Sequence, residues 1–133
     1  MVDYAAIFKE NPLGVFATQD GEKVRSRLFQ LLFCDGRKAY FCTSNEKPVY
    51  AQLRANPNAA FTTYPNDYSI TLNVSGKVTF VDDRALKQKV LDDEPLIKSV
   101  YSSPDNPVFT LFYLDLEEIE TYNIKDGARR YKL

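Results

Sequence analysis

Lys47 heads the stretch of this sequence that carries the most chemistry, Tyr40 to Pro57. There an alternating apolar and polar run gives way to Thr43, Ser44 and Asn45, then to Lys47-Pro48 and a set of helix-favouring residues. The pattern predicts a strand, a polar turn and a helix start. A helix N-terminus offers unpaired N–H groups and a partial positive charge, so small hydroxyl residues and a lysine at this junction suit a phosphate. Pro48 fits the first turn, which has no partner for its N–H, and Asn56-Pro57 ends the helix. The same Thr, Ser and Asn serve equally well as plain caps with the lysine in water, so a second cation must decide. Arg25 and Arg27 are the candidates. They share one face of the preceding strand, where they either join Lys47 on one anion or solvate a sheet edge.

The chemistry open to this chain is narrowed by what it lacks. It has 133 residues and no histidine, which removes Ser-His and Cys-His catalysis, most zinc sites and axial histidine ligation of haem. An enzyme built this way relies on a bound organic cofactor, with no metal and no haem. Seventeen basic and eighteen acidic residues give a net charge of −1 and are interspersed along the chain, which argues against nucleic-acid binding. No apolar run approaches a membrane span, and the N-terminus lacks a basic start and an apolar centre. A cytoplasmic protein is expected. Cys34 and Cys42 flank a predicted hairpin turn and, in a reducing compartment, stay as thiols that pack like small hydrophobes.

The elements that must position these groups read as follows. Asp3 caps a short helix with Tyr4, Ile7 and Phe8 on one face, closed by Asn11-Pro12. Gly14 to Thr18 is a strand, Gln19 to Glu22 a turn, and Lys23 to Phe33 one long second strand whose two faces both turn apolar after Arg27. A hairpin at Cys34–Lys38 leads into Ala39–Thr43, which is expected to pair with the second strand and bring Thr43–Lys47 level with Arg25 and Arg27. Strands follow at Ala59–Tyr64 and Tyr68–Val81, the latter bulged near Ser75-Gly76. Asp82 or Asp83 caps a helix from Arg84 to about Asp92, and Pro95 opens another through Tyr101. Residues 102–107 form a loop long enough to overhang a pocket, and Val108–Leu116 and Glu118–Ile124 are the last strands. The tail, Lys125 to Leu133, is polar and expected to be disordered. The chain is thus expected to be one domain (1–133, core about 11–124) of α+β class, mainly β. Its architecture is a six- to seven-stranded antiparallel split β-barrel with short peripheral helices. Nine tyrosines and nine phenylalanines exceed the needs of a small barrel interior, so part of that surface is expected to form a dimer contact or a ligand wall.

The succession of residues 11–18 (Asn-Pro-Leu-Gly-Val-Phe-Ala-Thr), 25–33 (Arg-Ser-Arg-Leu-Phe-Gln-Leu-Leu-Phe), 40–50 (Tyr-Phe-Cys-Thr-Ser-Asn-Glu-Lys-Pro-Val-Tyr), 53–58 and 74–78 resembles the pyridoxamine 5′-phosphate oxidase-like flavoproteins. Within them it is most similar to the short branch that includes nitroimidazole-resistance proteins. The resemblance implies a homodimer with FMN at the subunit interface, acting as an oxidoreductase that passes electrons from a reduced donor to a small-molecule acceptor. The alternative is a non-catalytic flavin-binding, storage or sensing protein. Position by position, it implies that Arg27 contacts the FMN phosphate, that the backbone at Leu28 and Phe29 meets the flavin ring edge, and that Thr43, Ser44 and Lys47 surround the phosphate. A deazaflavin is the alternative cofactor.

The sequence also departs from the family. Leu31 and Leu32 occupy the end of strand two, and the tail lacks the arginine and histidine pattern of true pyridoxamine phosphate oxidases. Vitamin B6 oxidation is therefore not expected. The histidine of nitroimidazole-resistance proteins and of haem-degrading relatives is likewise missing.

Overall fold

The computed structural model describes residues 2–133. Asp3 accepts the Ala6 N–H at 3.1 Å and starts α1 (Tyr4–Glu10), which buries Phe8. The chain then runs through β1 (Leu13–Asp20), β2 (Lys23–Gln30), β3 (Phe33–Asp35), β4 (Lys38–Ser44), α2 (Pro48–Ala55), β5 (Asn58–Thr63) and β6 (Thr71–Val81). It ends with α3 (Arg84–Asp93), α4 (Pro95–Tyr101), β7 (Phe109–Asn123) and β8 (Gly127–Lys132). Asp83 is the residue that caps α3, accepting the Leu86 N–H. Among the described residues, no helix is long and apolar enough to cross a membrane.

The strands are antiparallel in the order β2-β1-β5-β6-β7-β4-β3, with β8 added to the far end of β7. β2 and β3 stand at opposite ends of that order yet are consecutive in the chain, so the sheet curls back on itself. The two ends are joined only by the link between them. The Leu31 N–H still reaches β1, donating to the Pro12 carbonyl at 2.8 Å, while the Leu32 N–H turns to β4 and donates to the Tyr40 carbonyl at 2.8 Å. From that point β2 follows β1 and β4 follows β7, and the two diverge. The result is a split barrel of eight strands that does not close.

Inside the curl, Phe16, Phe41, Phe61 and Phe112 are fully buried, with Phe16–Phe41 and Phe41–Phe61 centroids 5.0 Å apart. A second cluster of Tyr40, Val90, Leu91, Tyr101, Phe109 and Leu111 lies where α3 and α4 cover the other face of β4 and β7. This explains why successive residues Ala39, Tyr40 and Phe41 are all buried.

Three features differ from the sequence-based expectation. The long second strand breaks at Leu31-Leu32, and β4 pairs with its distal piece β3 and with β7 rather than with the Arg25–Arg27 half. Within the single chain Leu28 stays 75% exposed, and burial begins at Leu31. The two last strands are one, β7, because the irregularity falls in its pairing: the register with β6 shifts at Ser75/Gly76 without ending the strand. A Cβ at Gly76 would sit 1.8 Å from the Asp115 carbonyl oxygen, so only glycine permits that approach. Finally, the polar tail is ordered as β8, held by backbone pairing to Glu118–Asn123 and by Arg130 bridging Glu118 and Glu120 at 3.1 and 2.7 Å. A charged strand at a sheet edge carries no apolar alternation to reveal it.

Candidate functional site

The divergence of β2 from β4 leaves a gap, and the helix start after β4 faces it. In an antiparallel pair, the two residues that exchange hydrogen bonds alternate with two that do not. Since Leu31 bonds toward β1, the same parity turns the N–H and C=O of Leu28 and Gln30 away from β1, to the unpaired edge. Phe29 stands opposite Gly14, and its ring packs against Phe16 at 5.1 Å. The backbone of β2 therefore presents a short row of donors and acceptors beside an aromatic wall.

Across the gap, Lys47 is the N-cap of α2 in extended conformation and makes no side-chain capping bond. Pro48 has no N–H to offer, and the Tyr50 N–H is taken by the Lys47 carbonyl at 3.1 Å. Val49 is left as a first-turn donor without a side-chain cap. Ser44 Oγ instead accepts the Glu46 N–H at 3.2 Å and tightens the turn.

Arg27 is the most elaborately held side chain here. Its Nη1 donates to the Phe16 carbonyl at 3.1 Å and to Thr18 Oγ1 at 2.9 Å, and its Nη2 donates to Gln52 Oε1 at 2.7 Å. The Thr18 hydroxyl donates in turn to Gln52 Oε1 at 2.7 Å. A guanidinium has five N–H donors in a fixed plane, and these bonds occupy three. The two left, Nε–H and the second Nη2–H, are neighbours on one edge and form a fork suited to a bidentate oxyanion. Burial holds Arg27 below the ordinary arginine range, but an arginine stays charged at any physiological pH.

Arg27, Leu28, Phe29 and Lys47 line one cavity of about 630 Å³, together with Val49 and Gln52 of α2, a volume in the range of small-molecule sites, roughly 300–1,000 Å³. Arg25 is also on its wall, but its Nε is paired with Asp20 at 3.0 Å. Among the described residues, Arg27 and Lys47 have no acidic side chain within ion-pair distance. Two unspent cations, an uncapped helix start and an aromatic wall are a donor set for a dianion attached to a flat ring, so the residues present fit a flavin phosphate. The chain reaches this convergence across the split rather than through the β2–β4 pairing that the sequence suggested.

Thr43 and Ser44 do not line that cavity. Thr43 is 2% exposed and its Oγ1 is buried without a partner, an arrangement that costs about 1–3 kcal/mol when nothing binds it. The loop at 102–107 overhangs a different cavity, of about 560 Å³, where Arg84 and Lys87 are already tied to Asp105 and Asp82. The thiols do not face one another: Cys34 pairs with Ala39 and Cys42 with Leu111. Burial pushes Cys34 up to about 11 and Cys42 up to about 12, the latter despite the opposing pull of the Lys47 charge.

Gln52 and Thr18 were not singled out from the sequence, although a signal existed. Gln52 shares the apolar face of α2 with the buried Val49 and Leu53, and Thr18 follows Phe16 on the core side of β1. A polar residue on an apolar face needs a partner.

A family model described as pyridoxamine 5′-phosphate oxidase matches residues 3–123, and the chain belongs to that family. Among curated proteins, none matches the sequence. Solved structures do. A NimC/NimA family protein from Clostridium acetobutylicum is 25% identical with a TM-score of 0.84, covering 96% of this chain and 88% of that one. A pyridoxamine 5′-phosphate oxidase-related, FMN binding protein from Nostoc punctiforme is 13% identical with a TM-score of 0.68, covering 98% and 90%. A haem binding protein from Mycobacterium smegmatis is 15% identical with a TM-score of 0.78, covering 95% of this chain and 55% of its own.

Proposed function

We propose that this chain is a flavin-binding protein whose flavin is FMN, and that it acts as an oxidoreductase passing electrons from a reduced donor to a small-molecule acceptor. The observation that carries the reading is the meeting of Arg27 and Lys47, from opposite sides of the split, on one cavity where, among the described residues, the one lining carboxylate, Asp20, is paired with Arg25. The FMN binding protein of the same fold supports the choice of flavin. The absence of histidine, which leaves no axial imidazole, favours FMN over the ligand of the haem binding relative.

Arg27 holds the phosphate through its free fork, and Lys47 adds the second charge from the helix start. Ser44 supports that start from the end of β4, where its Oγ accepts the Glu46 N–H and its carbonyl accepts the Lys47 N–H. The unpaired Leu28 and Gln30 backbone groups meet the polar edge of the ring, where donors stabilise the negative charge that reduction brings. The ring of Phe29 and the side chain of Leu28 keep water from its apolar part. Bound FMN supplies hydride acceptance and return, so the protein itself needs no acid or base for that step.

The reading includes a homodimer and treats the whole chain as one FMN-binding domain. Leu13, Val15, Val24 and Leu28 form an exposed apolar face on β1 and β2, with Val15 opposite Leu28 in the ladder. An apolar face of this kind on a strand pair suits a second copy. Leu28 belongs to both this face and the cavity, so a docked partner would border the flavin.

Stopped-flow reduction tests the electron-transfer part. Saturable bleaching of the bound flavin by NADH or NADPH is the expected result. Reduction by dithionite alone would leave a flavin-binding protein without turnover.

A further inference from the structure

We propose that Gln52 and Thr18 are positioning residues that aim Arg27, and that they set the preference for a phosphorylated flavin over its dephosphorylated form. The proposal rests on the phosphate reading above. Its basis is a closed triangle: Arg27 Nη2 and the Thr18 hydroxyl both donate to Gln52 Oε1, at 2.7 Å each, while Thr18 Oγ1 accepts from Arg27 Nη1 at 2.9 Å. Each corner of the triangle belongs to a different element: Thr18 to β1, Arg27 to β2 and Gln52 to α2. The triangle, with the Phe16 carbonyl, consumes the donors at the far end of the guanidinium and leaves the Nε edge free.

An arginine side chain has many rotamers, and ordering one on binding carries an entropic cost. Here that cost is met before any ligand arrives. Neither Gln52 nor Thr18 carries charge, so the guanidinium is fixed without being neutralised. A carboxylate in the place of Gln52 would hold it just as firmly and cancel the attraction for a dianion. The contrast is visible two residues away, where Arg25 is paired with Asp20.

The test compares FMN with riboflavin, which shares the ring and ribityl chain but lacks the phosphate. Equilibrium titrations on folded protein, checked by circular dichroism, are run for wild type, Gln52→Leu, Thr18→Val, Thr18→Ser and Gln52→Glu. Wild type is expected to bind FMN more tightly. Gln52→Leu and Thr18→Val should each lower FMN affinity about tenfold while riboflavin affinity changes less than about threefold, since only a charge-assisted contact is disturbed. Thr18→Ser should restore the preference, and Gln52→Glu should lower FMN affinity at least as much as Gln52→Leu.

A wild-type preference that persists in both Thr18→Val and Gln52→Leu would overturn the positioning role. So would an equal loss of both ligands, which marks a merely structural part. A wild type that does not distinguish FMN from riboflavin would instead defeat the phosphate reading itself. If Gln52→Leu does not fold, the Thr18→Val and Thr18→Ser pair decides alone.

Discussion

Replacing Arg27 with alanine removes the free fork of a guanidinium that lines the cavity and leaves the rest of its surroundings largely intact, because Thr18 and Gln52 keep their mutual bond at 2.7 Å. Two N–H donors to a dianion are lost. The cavity is open, so water takes up part of the phosphate's hydrogen bonding. The net penalty is therefore set near that of one charged hydrogen bond, about 1.5–3 kcal/mol, or roughly 10- to 150-fold in Kd. Lys47→Ala is expected to fall in the same range of about 1.5–3 kcal/mol, since it removes the other unpaired cation. Arg25→Ala is the internal control. It lies on the same wall but is paired with Asp20, both side chains being about half exposed (48% and 45%), and exposed pairs of this kind are worth about 0–1 kcal/mol. Quenching of flavin fluorescence on titration reads all three. If Arg27→Ala and Lys47→Ala both retained full flavin at micromolar protein, the phosphate assignment would be wrong, whatever the fate of the barrel.

Three further outcomes follow from other parts of the structure. Gly76→Ala should cost more than about 3 kcal/mol, at the upper end for single substitutions, because its Cβ would meet backbone at 1.8 Å; a melting curve close to wild type would refute the reading of the bulge. Val15→Asp should convert a dimer to a monomer in sedimentation, and an unchanged mass would place the interface elsewhere. The thiols, raised by burial from 9.0 to about 11 and about 12, should react slowly with a disulfide reagent at pH 8 and fully once unfolded. Because the unfolded chain ionises first, stability should decline as pH climbs from about 9 toward 11; rapid native labelling would contradict their packing.

Much of the fold was readable where local chemistry decides it. Asp3 and Asp83 cap the helices they were expected to cap, Pro48 and Asn56 bound α2, and the irregularity at Ser75-Gly76 falls where a glycine in an apolar strand suggested it. The break at Leu31-Leu32 was not readable, since two leucines continue a strand pattern perfectly well. What ends the strand is tertiary: one N–H is claimed by Pro12 on one side and the next by Tyr40 on the other. The cations were legible as types and as a juxtaposition, but the route that joins them was not, because α2 crosses to β1 rather than β4 pairing with β2. Thr43 and Ser44 belong to β4, opposite Thr110 and Phe109, and neither lines the cavity. Gln52 and Thr18 passed unnoticed because a polar residue on an apolar face becomes meaningful only when its partner is known.

The most direct measurement is the near-ultraviolet and blue absorbance of the purified protein, with the cofactor then released and identified. A yellow protein that gives up FMN at one per chain, or takes it up to that ratio when supplied, is the expected result. A colourless protein that stays colourless in excess FMN would contradict the assignment of the split between β2 and β4 as a flavin site.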